Sequence, residues 1–384
     1  MTEKSILILG GGIGGVVAAQ SLRKRLGRNH RIVVIDRKTK FEFAPSFLWL
    51  MMGWRTTRQI SRSLISLDGG GIAFVNGSVS KIDPDDRLVL VDGEDYHYDY
   101  LVISLGADLA PEKIPGLAES AHHVYQADNA EKFGAAIQSF NEGTLAFVVI
   151  STPFKCPAAP YEAALLVDFL MRKRGVREKV NLRFFTVEPQ PMPVAGPVVG
   201  GMIKQMLSER GIEYQPNQKL LSVELPSEEL VFESGERAKF DLLFAVPPHR
   251  PPTAVTESGL ADDVGWIPVD GRTLRTKYDD VYAIGDVTTI KLPSGMMLPK
   301  AGVFAERQAR IVADNMTSEI TGDGEIRRWD GKGSCFTETG YGKAGYASGE
   351  FFAEPKPMVN PRRPGRIWHW TKVLFERYWL WRHF

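Results

Sequence analysis

The stretch from Ser5 to Asp36 constrains the fold more than any other. An apolar strand, Ile6 to Leu9, enters a turn with Gly10, Gly12 and Gly15 at G-x-G-x-x-G spacing, a helix follows directly, and a second strand, Arg31 to Ile35, ends on Asp36. Each part has a physical task. The first glycine turns the chain tightly, the second lets the backbone approach a pyrophosphate, and the third lets helix and strand pack closely. The helix N-terminus offers unpaired N–H groups and partial positive charge to phosphates, while the Asp36 carboxylate can accept ribose hydroxyls. A glycine pattern alone would be weak. Here strand, helix and an acid about twenty residues on coincide, as a dinucleotide-binding unit requires.

At 384 residues the chain can hold two or more domains. Its 47 basic and 46 acidic side chains leave a formal charge of +1, so nothing draws it as a whole to nucleic acid, and any membrane or partner contact must be local. The N-terminus lacks the basic, apolar and small-residue order of a secretory signal, and no uncharged apolar run is long enough to span a bilayer. The expected location is the cytoplasmic side of the cell, where disulfides are rarely structural. The two cysteines, Cys156 and Cys335, lie far apart.

Taken in order, Phe41 to Trp54 is an apolar run expected to be buried over a cofactor, and Ile72 to Val75 with Val79 reads as strand. Leu88 to Val91 and Tyr96 to Tyr98 suggest a hairpin turning at Asp92-Gly93. Tyr100 to Gly106 is a strand ending in glycine. Lys132 to Phe140 and Tyr161 to Gly175 read as helices, and Thr144 to Ile150 and Asn181 to Val187 as strands, the last ending on Glu188. Strand, turn, helix, strand and acid thus occur twice. Leu242 to Val246 closes the second unit, Val281 to Ile284 returns to the first, and Ala301 to Met316 is a helix. The reading is an α/β chain with two Rossmann-like units. Residues 1–115 and 251–320 form the first, 116–250 the second, and 321–384 a C-terminal region of Gly- and Pro-rich connections with an aromatic, basic tail. Three histidines, His122, His123 and His249, show no catalytic spacing and are expected at the surface or in loops.

In the second unit the place of the glycine-rich loop reads Ser-Thr-Pro-Phe-Lys-Cys-Pro-Ala-Ala-Pro-Tyr-Glu from Ser151 to Glu162. It has no glycine and three prolines, which prevents the close backbone approach a pyrophosphate needs. A nicotinamide dinucleotide is a poor candidate there, and a cysteine stands where its phosphates would sit.

The opening fingerprint, the strand ending at Gly106 and the late Ala283-Ile-Gly-Asp286 together resemble the two-dinucleotide-binding-domain flavoproteins. Cys-Pro-x-x-Pro-Tyr-Glu from Cys156, Lys300-Ala301-Gly302 before the late helix, Cys335-Phe336 with Gly340, and the aromatic-basic tail resemble the sulfide:quinone oxidoreductases over essentially the whole chain. That resemblance implies FAD, hydrogen sulfide as donor and a membrane quinone as acceptor. It assigns the cofactor to Gly10, Gly12, Ile13, Gly14, Gly15, Asp36, Arg37, Ala44, Val79, Gly106, Gly285, Asp286, Lys300, Ala301 and Gly302, with Lys300 and the helix dipole favouring negative charge on reduced flavin. It also implies that Cys156 and Cys335 carry sulfur beside the flavin, without saying which does which. Glu162 is a candidate for proton transfer, a first-turn Glu favoured by the helix dipole being the alternative. Phe336 is a candidate quinone contact or an ordinary packed aromatic. Many relatives carry a third cysteine near the segment equivalent to His123–Ala127, and its absence here points to non-covalent FAD. The alternatives are a type II NADH:quinone reductase, a flavocytochrome c-type sulfide dehydrogenase and a flavin redox sensor.

Residues Arg366 to Phe384 place Ile367, Trp370, Leu374, Tyr378 and Trp381 on one helical face and His369, Lys372, Glu376 and His383 opposite. With Arg362, Arg363, Arg366, Arg377 and Arg382 available to anionic headgroups, the expectation is a monotopic anchor on the cytoplasmic membrane. A helix docked on a partner subunit is the alternative, and homo-oligomerisation is left open.

Overall fold

The computed structural model describes residues 2–384. The first sheet has the order Val281–Ala283, Tyr100–Ile103, Ser5–Leu9, Arg31–Asp36, Ala73–Asn76, all parallel. The second runs Ala121–His122, Leu242–Val246, Gly143–Val149, Val180–Thr186, Ile212–Gln215, also all parallel. Parallel strands covered on both faces must be apolar throughout, and Ile6 to Leu9 and Leu145 to Val149 are at most 1 % exposed.

Helix starts differ from the sequence reading. One helix spans Ala127–Ser139 rather than beginning near Lys132. Another starts at Ala159 because Pro160 is tolerated in a first turn. The late helix Gly302–Thr321 runs to Gly322, whose left-handed backbone (φ 70°) ends it. The hairpin turns where expected, with Asp92 and Gly93 both at positive φ.

The C-terminal region is far more regular than its composition suggested. Lys332–Gly340, Lys343–Glu350 and Met358–Gly365 form an antiparallel sheet, so Cys335 sits within a strand, opposite Ala347. The helix Arg366–His383 follows it. Its apolar stripe faces outward, with Ile367 68 %, Trp370 62 %, Leu374 64 % and Trp381 75 % exposed. The opposite, polar face is the buried one. Lys372, Glu376 and His383 dock against the body beside Val373, Trp379 and Leu380. Trp379 stacks on Phe41 at 4.9 Å, which places the apolar run 41–54 beneath this helix. Among the described residues, no helix is long and apolar enough to cross a membrane.

Candidate functional site

The glycine loop is built as its spacing requires. Gly10 has φ +100°, and a Cβ on Gly15 would overlap the Gly10 carbonyl oxygen, whereas one on Gly12 would meet nothing. The open side of Gly12 is therefore where a ligand can approach. Asp36 braces the loop by accepting from the Gly11 amide at 2.6 Å and the Lys38 amide at 2.7 Å. Gly14 lies under Ser104 and Ile284, so the ends of three strands meet there. Gly302, at the start of the late helix, faces Ile13 at the start of the first, and neither N-terminus has a side-chain cap. Two helix dipoles thus converge on one place.

Asp286 lies beside this convergence. Burial pushes its carboxyl pKa up, although Lys155 and Lys300 oppose the shift, and among the described residues Oδ1 has no hydrogen-bond partner. A buried acceptor in that state is matched by a ligand hydroxyl. Gly106 and Gly285 hold positive φ at strand ends, and the Gly285 amide donates to Gln308. Arg37 pairs with Asp108 at the surface, Ala44 is exposed in a single turn, and Val79 is half-buried in the strand Val79–Asp83. Lys300 is buried, and its ammonium is committed to the carbonyls of Asp286 and Thr288 and to the face of Trp266, 3.4 Å away. Burial lowers its pKa to about 8. The positive element presented here is the helix N-terminus rather than that side chain.

Cys156 is fastened to the same place through backbone. Its amide donates to the Lys300 carbonyl at 2.8 Å, and it holds a left-handed conformation (φ 51°) that is uncommon for a residue with a Cβ. Lys155 bridges to the Ala107 carbonyl at 3.0 Å. The strand Lys332–Gly340 brings Cys335 against Cys156, both as free thiols. The interaction of the two sulfurs raises the pKa of Cys156 well above the usual thiol range and lowers that of Cys335, whose own S–H donates to the Phe336 carbonyl at 3.4 Å. Cys335 is the more readily ionised of the pair.

Glu162 is fully buried near both sulfurs, and Lys372 reaches from the C-terminal helix to place Nζ 2.6 Å from its Oε1. Desolvation raises the Glu162 pKa despite this ammonium. Burial opposes the Lys372 charge, but Glu162 and Glu338 outweigh it and its pKa rises. Phe336, next to Cys335, lies 5.2 Å from Tyr346 and 6.4 Å from Phe375, ring to ring.

Two histidines expected at the surface or in loops are buried. His249 Nδ1 donates to the Pro247 carbonyl at 2.8 Å, which leaves Nε2 to accept from the Lys155 amide at 3.4 Å. Burial lowers its pKa to about 3 and that of His123 to about 4. His122 is half-buried against Phe133. Sequence reasoning also missed Lys372, Glu338 and His369. The one available signal was the run of polar residues along one face of the tail helix.

The family model for pyridine nucleotide-disulphide oxidoreductases matches residues 4–150 and 170–309. A mitochondrial sulfide:quinone oxidoreductase of Dictyostelium discoideum is 31 % identical, the match covering 88 % of this chain and 76 % of that protein. The corresponding protein of Mus musculus is 29 % identical over 91 % of this chain and 79 % of its own length. The crystal structure of the sulfide:quinone oxidoreductase from Aquifex aeolicus superposes with a TM-score of 0.90 at 27 % identity, covering 99 % of this chain and 91 % of that one. The chain belongs to the pyridine nucleotide-disulphide oxidoreductase family and, within it, to the sulfide:quinone oxidoreductases.

Proposed function

We propose that this protein is an FAD-dependent enzyme that oxidises hydrogen sulfide to sulfane sulfur or polysulfide and passes the two electrons to a membrane quinone. The observation that supports this most directly is the meeting of Cys156 and Cys335 at a loop where glycine is missing. The glycine loop, Asp36, Asp286 and the two converging helix N-termini fit the cofactor: an open Gly12, an orphaned buried acceptor and two unspent dipoles. When bound there, FAD supplies the acceptor for two electrons from sulfur and their donor to quinone.

The protein's own groups handle sulfur and protons. With the two cysteines joined through sulfur, hydrosulfide attacks one sulfur, a new S–S bond forms, and the other cysteine leaves as thiolate. Cys335 is suited to leave, since the Lys372 ammonium favours its anion. Glu162, with its pKa raised by burial, is placed to take the proton of the incoming hydrosulfide. Phe336 is proposed to contact the quinone ring.

The exposed stripe of the C-terminal helix is proposed to rest in the membrane interface, with Arg362, Arg363, Arg366 and Arg377 at headgroup level, letting a long-tailed quinone arrive without crossing water. Anaerobic mixing of the purified yellow protein with sulfide tests the reading. Rapid bleaching is expected in the unaltered protein and its loss in Cys156→Ala and Cys335→Ala, with FAD retained in both. Undiminished bleaching in both variants, or rapid bleaching by NADH alone, overturns it.

A further inference from the structure

One buried carboxylate–histidine pair takes no part in the sulfur chemistry. Glu338, on the same strand as Cys335, is wholly enclosed, and its two carboxylate oxygens lie 2.9 and 3.0 Å from His369 Nδ1. His369 is in the first turns of the C-terminal helix, with 19 % of its side chain exposed. Its ring meets buried Trp49 at 6.3 Å and exposed Trp370 at 5.7 Å. Toward the interior, Glu338 acts electrostatically on both Lys372 and Glu162. The charged groups facing the pair are therefore Lys372 from the same helix, Glu162 from the helix Ala159–Lys173, and Arg55, whose guanidinium lies over Trp49 at 4.5 Å.

Enclosing a carboxylate is costly, and a pair of apolar residues would fill the same space more cheaply. Proton balance supplies a reason for the arrangement. Hydrosulfide gives up two electrons and one proton on becoming sulfane sulfur, while a quinone takes up two electrons and two protons on becoming quinol. One proton per turnover must therefore enter from outside, and Glu162, Lys372 and Glu338 are all buried. Among the groups of this cluster, His369 is the one that is both partly exposed and bonded inward.

We propose that His369 and Glu338 form the proton inlet of the buried centre, an inference that rests on the sulfide–quinone reading above. His369 takes a proton at Nε2 from the outer face. The Nδ1–H bond breaks as an O–H bond forms on Glu338, and Glu338 passes that proton to the Lys372–Glu162 cluster for quinol formation. His369 is left neutral, with its proton on Nε2, and a ring flip readies it for the next cycle. It is a positioned relay and touches no substrate.

The test uses the FAD-loaded enzyme reduced by sulfide and followed by stopped flow. In His369→Gln, reoxidation by decylubiquinone should slow by at least about tenfold, as loss of a general acid does. The solvent deuterium effect on that step should grow, and added imidazole should restore the rate. Reoxidation by ferricyanide, which needs no proton, and reduction by sulfide should keep their rates. Glu338→Gln, which preserves shape and removes the charge, should behave alike without imidazole rescue. Quinone reoxidation at the unaltered rate in His369→Gln, or equal slowing with ferricyanide, overturns the relay. Failure of sulfide to bleach the unaltered protein overturns the functional reading, and the relay with it.

Discussion

Lys372 Nζ lies 2.6 Å from Glu162 Oε1 with the two side chains only 7 and 3 % exposed, joining the last helix of the chain to the first turn of the helix Ala159–Lys173, which follows Cys156. Breaking such a pair from one side strands the other charge, at a cost of about 3–5 kcal/mol. In Lys372→Met the Glu162 carboxyl, already raised by burial, loses the ammonium that holds it down and rises further. A carboxyl whose folded pKa exceeds its unfolded one holds its proton longer in the folded state. The penalty is then small in acid and grows as pH climbs through the range between the two values. Denaturant titrations should show the gap to the unaltered protein widening from acid to neutral pH. Adding Glu162→Gln should recover most of it. A gap that does not change with pH would contradict this account.

The thiols differ in how readily they ionise, and that difference is measurable without turnover. The neighbouring Cys156 sulfur and the Lys372 ammonium both lower the Cys335 pKa, so iodoacetamide at neutral pH should label Cys335 ahead of Cys156, as mass spectrometry of tryptic peptides would show. Cys156→Ala removes the neighbouring sulfur that lowers the Cys335 pKa, and labelling of Cys335 should slow on the order of tenfold as its thiolate population falls. Lys372→Met should act in the same direction.

Gly12 and Gly15 separate folding from cofactor retention. A Cβ at Gly15 collides with the Gly10 carbonyl, so Gly15→Ala should damage the loop itself, lowering the melting temperature of the cofactor-free protein. Gly12 has φ −76° and free space around its ideal Cβ, so Gly12→Ala should leave the cofactor-free protein as stable as before. Its methyl group would nonetheless occupy the ligand's approach, and FAD affinity should fall by tenfold or more, about 1.4 kcal/mol or above. Equal FAD affinity in Gly12→Ala and the unaltered protein would remove the pyrophosphate from this position.

His249 predicts the shape of acid denaturation. Burial depresses its pKa to about 3, whereas the unfolded side chain titrates near 6.5. The stability it contributes is complete above the unfolded value and is lost as pH falls from there toward the folded one, at up to about 1.4 kcal/mol per pH unit. His249→Gln, which keeps hydrogen-bonding capacity and cannot charge, should flatten that part of the stability profile. An unchanged slope would mean that other groups dominate it.

What the chain disclosed in advance divides by how local the cause is. The first glycine loop was legible because strand, turn and helix are adjacent and each follows from its own residues. The sheet that carries Cys335 was not. Its strands include KGSCFTETG, KAGYASGE and MVNPRRPG, poor in β-branched residues and rich in glycine and proline, and they hold together through cross-strand pairing and the helix packed on them. The two faces of the C-terminal helix could be read from periodicity, but not which one is buried. That depends on Glu338, Glu162, Arg55 and Gln20, each far away in sequence, meeting His369, Lys372, Glu376 and His383. His249 was misjudged for the same reason, since Lys155 and Tyr125 enclose it only in three dimensions.

The outward stripe of that helix gives the prediction that separates membrane from subunit contact. Five large apolar side chains, from Ile367 to Trp381, are each 55 % exposed or more, while Trp379 between Phe41 and Phe43 is 2 % exposed. Replacing Trp370 and Trp381 with Glu therefore removes almost no internal packing and should shift stability by no more than about 0.5 kcal/mol per site. Trp379→Ala, by contrast, opens the core and should cost about 3–5 kcal/mol. If the stripe rests in a bilayer interface, the double Glu variant should lose at least about tenfold in partitioning to anionic phospholipid vesicles, because apolar burial and cation attraction act together there. Raising the salt concentration should weaken binding of the unaltered protein as its arginines are screened from the headgroups. Sedimentation with vesicles measures both effects, and sedimentation velocity without lipid measures the subunit state. Retained vesicle binding with a smaller assembly would instead assign the stripe to a neighbouring copy of the chain.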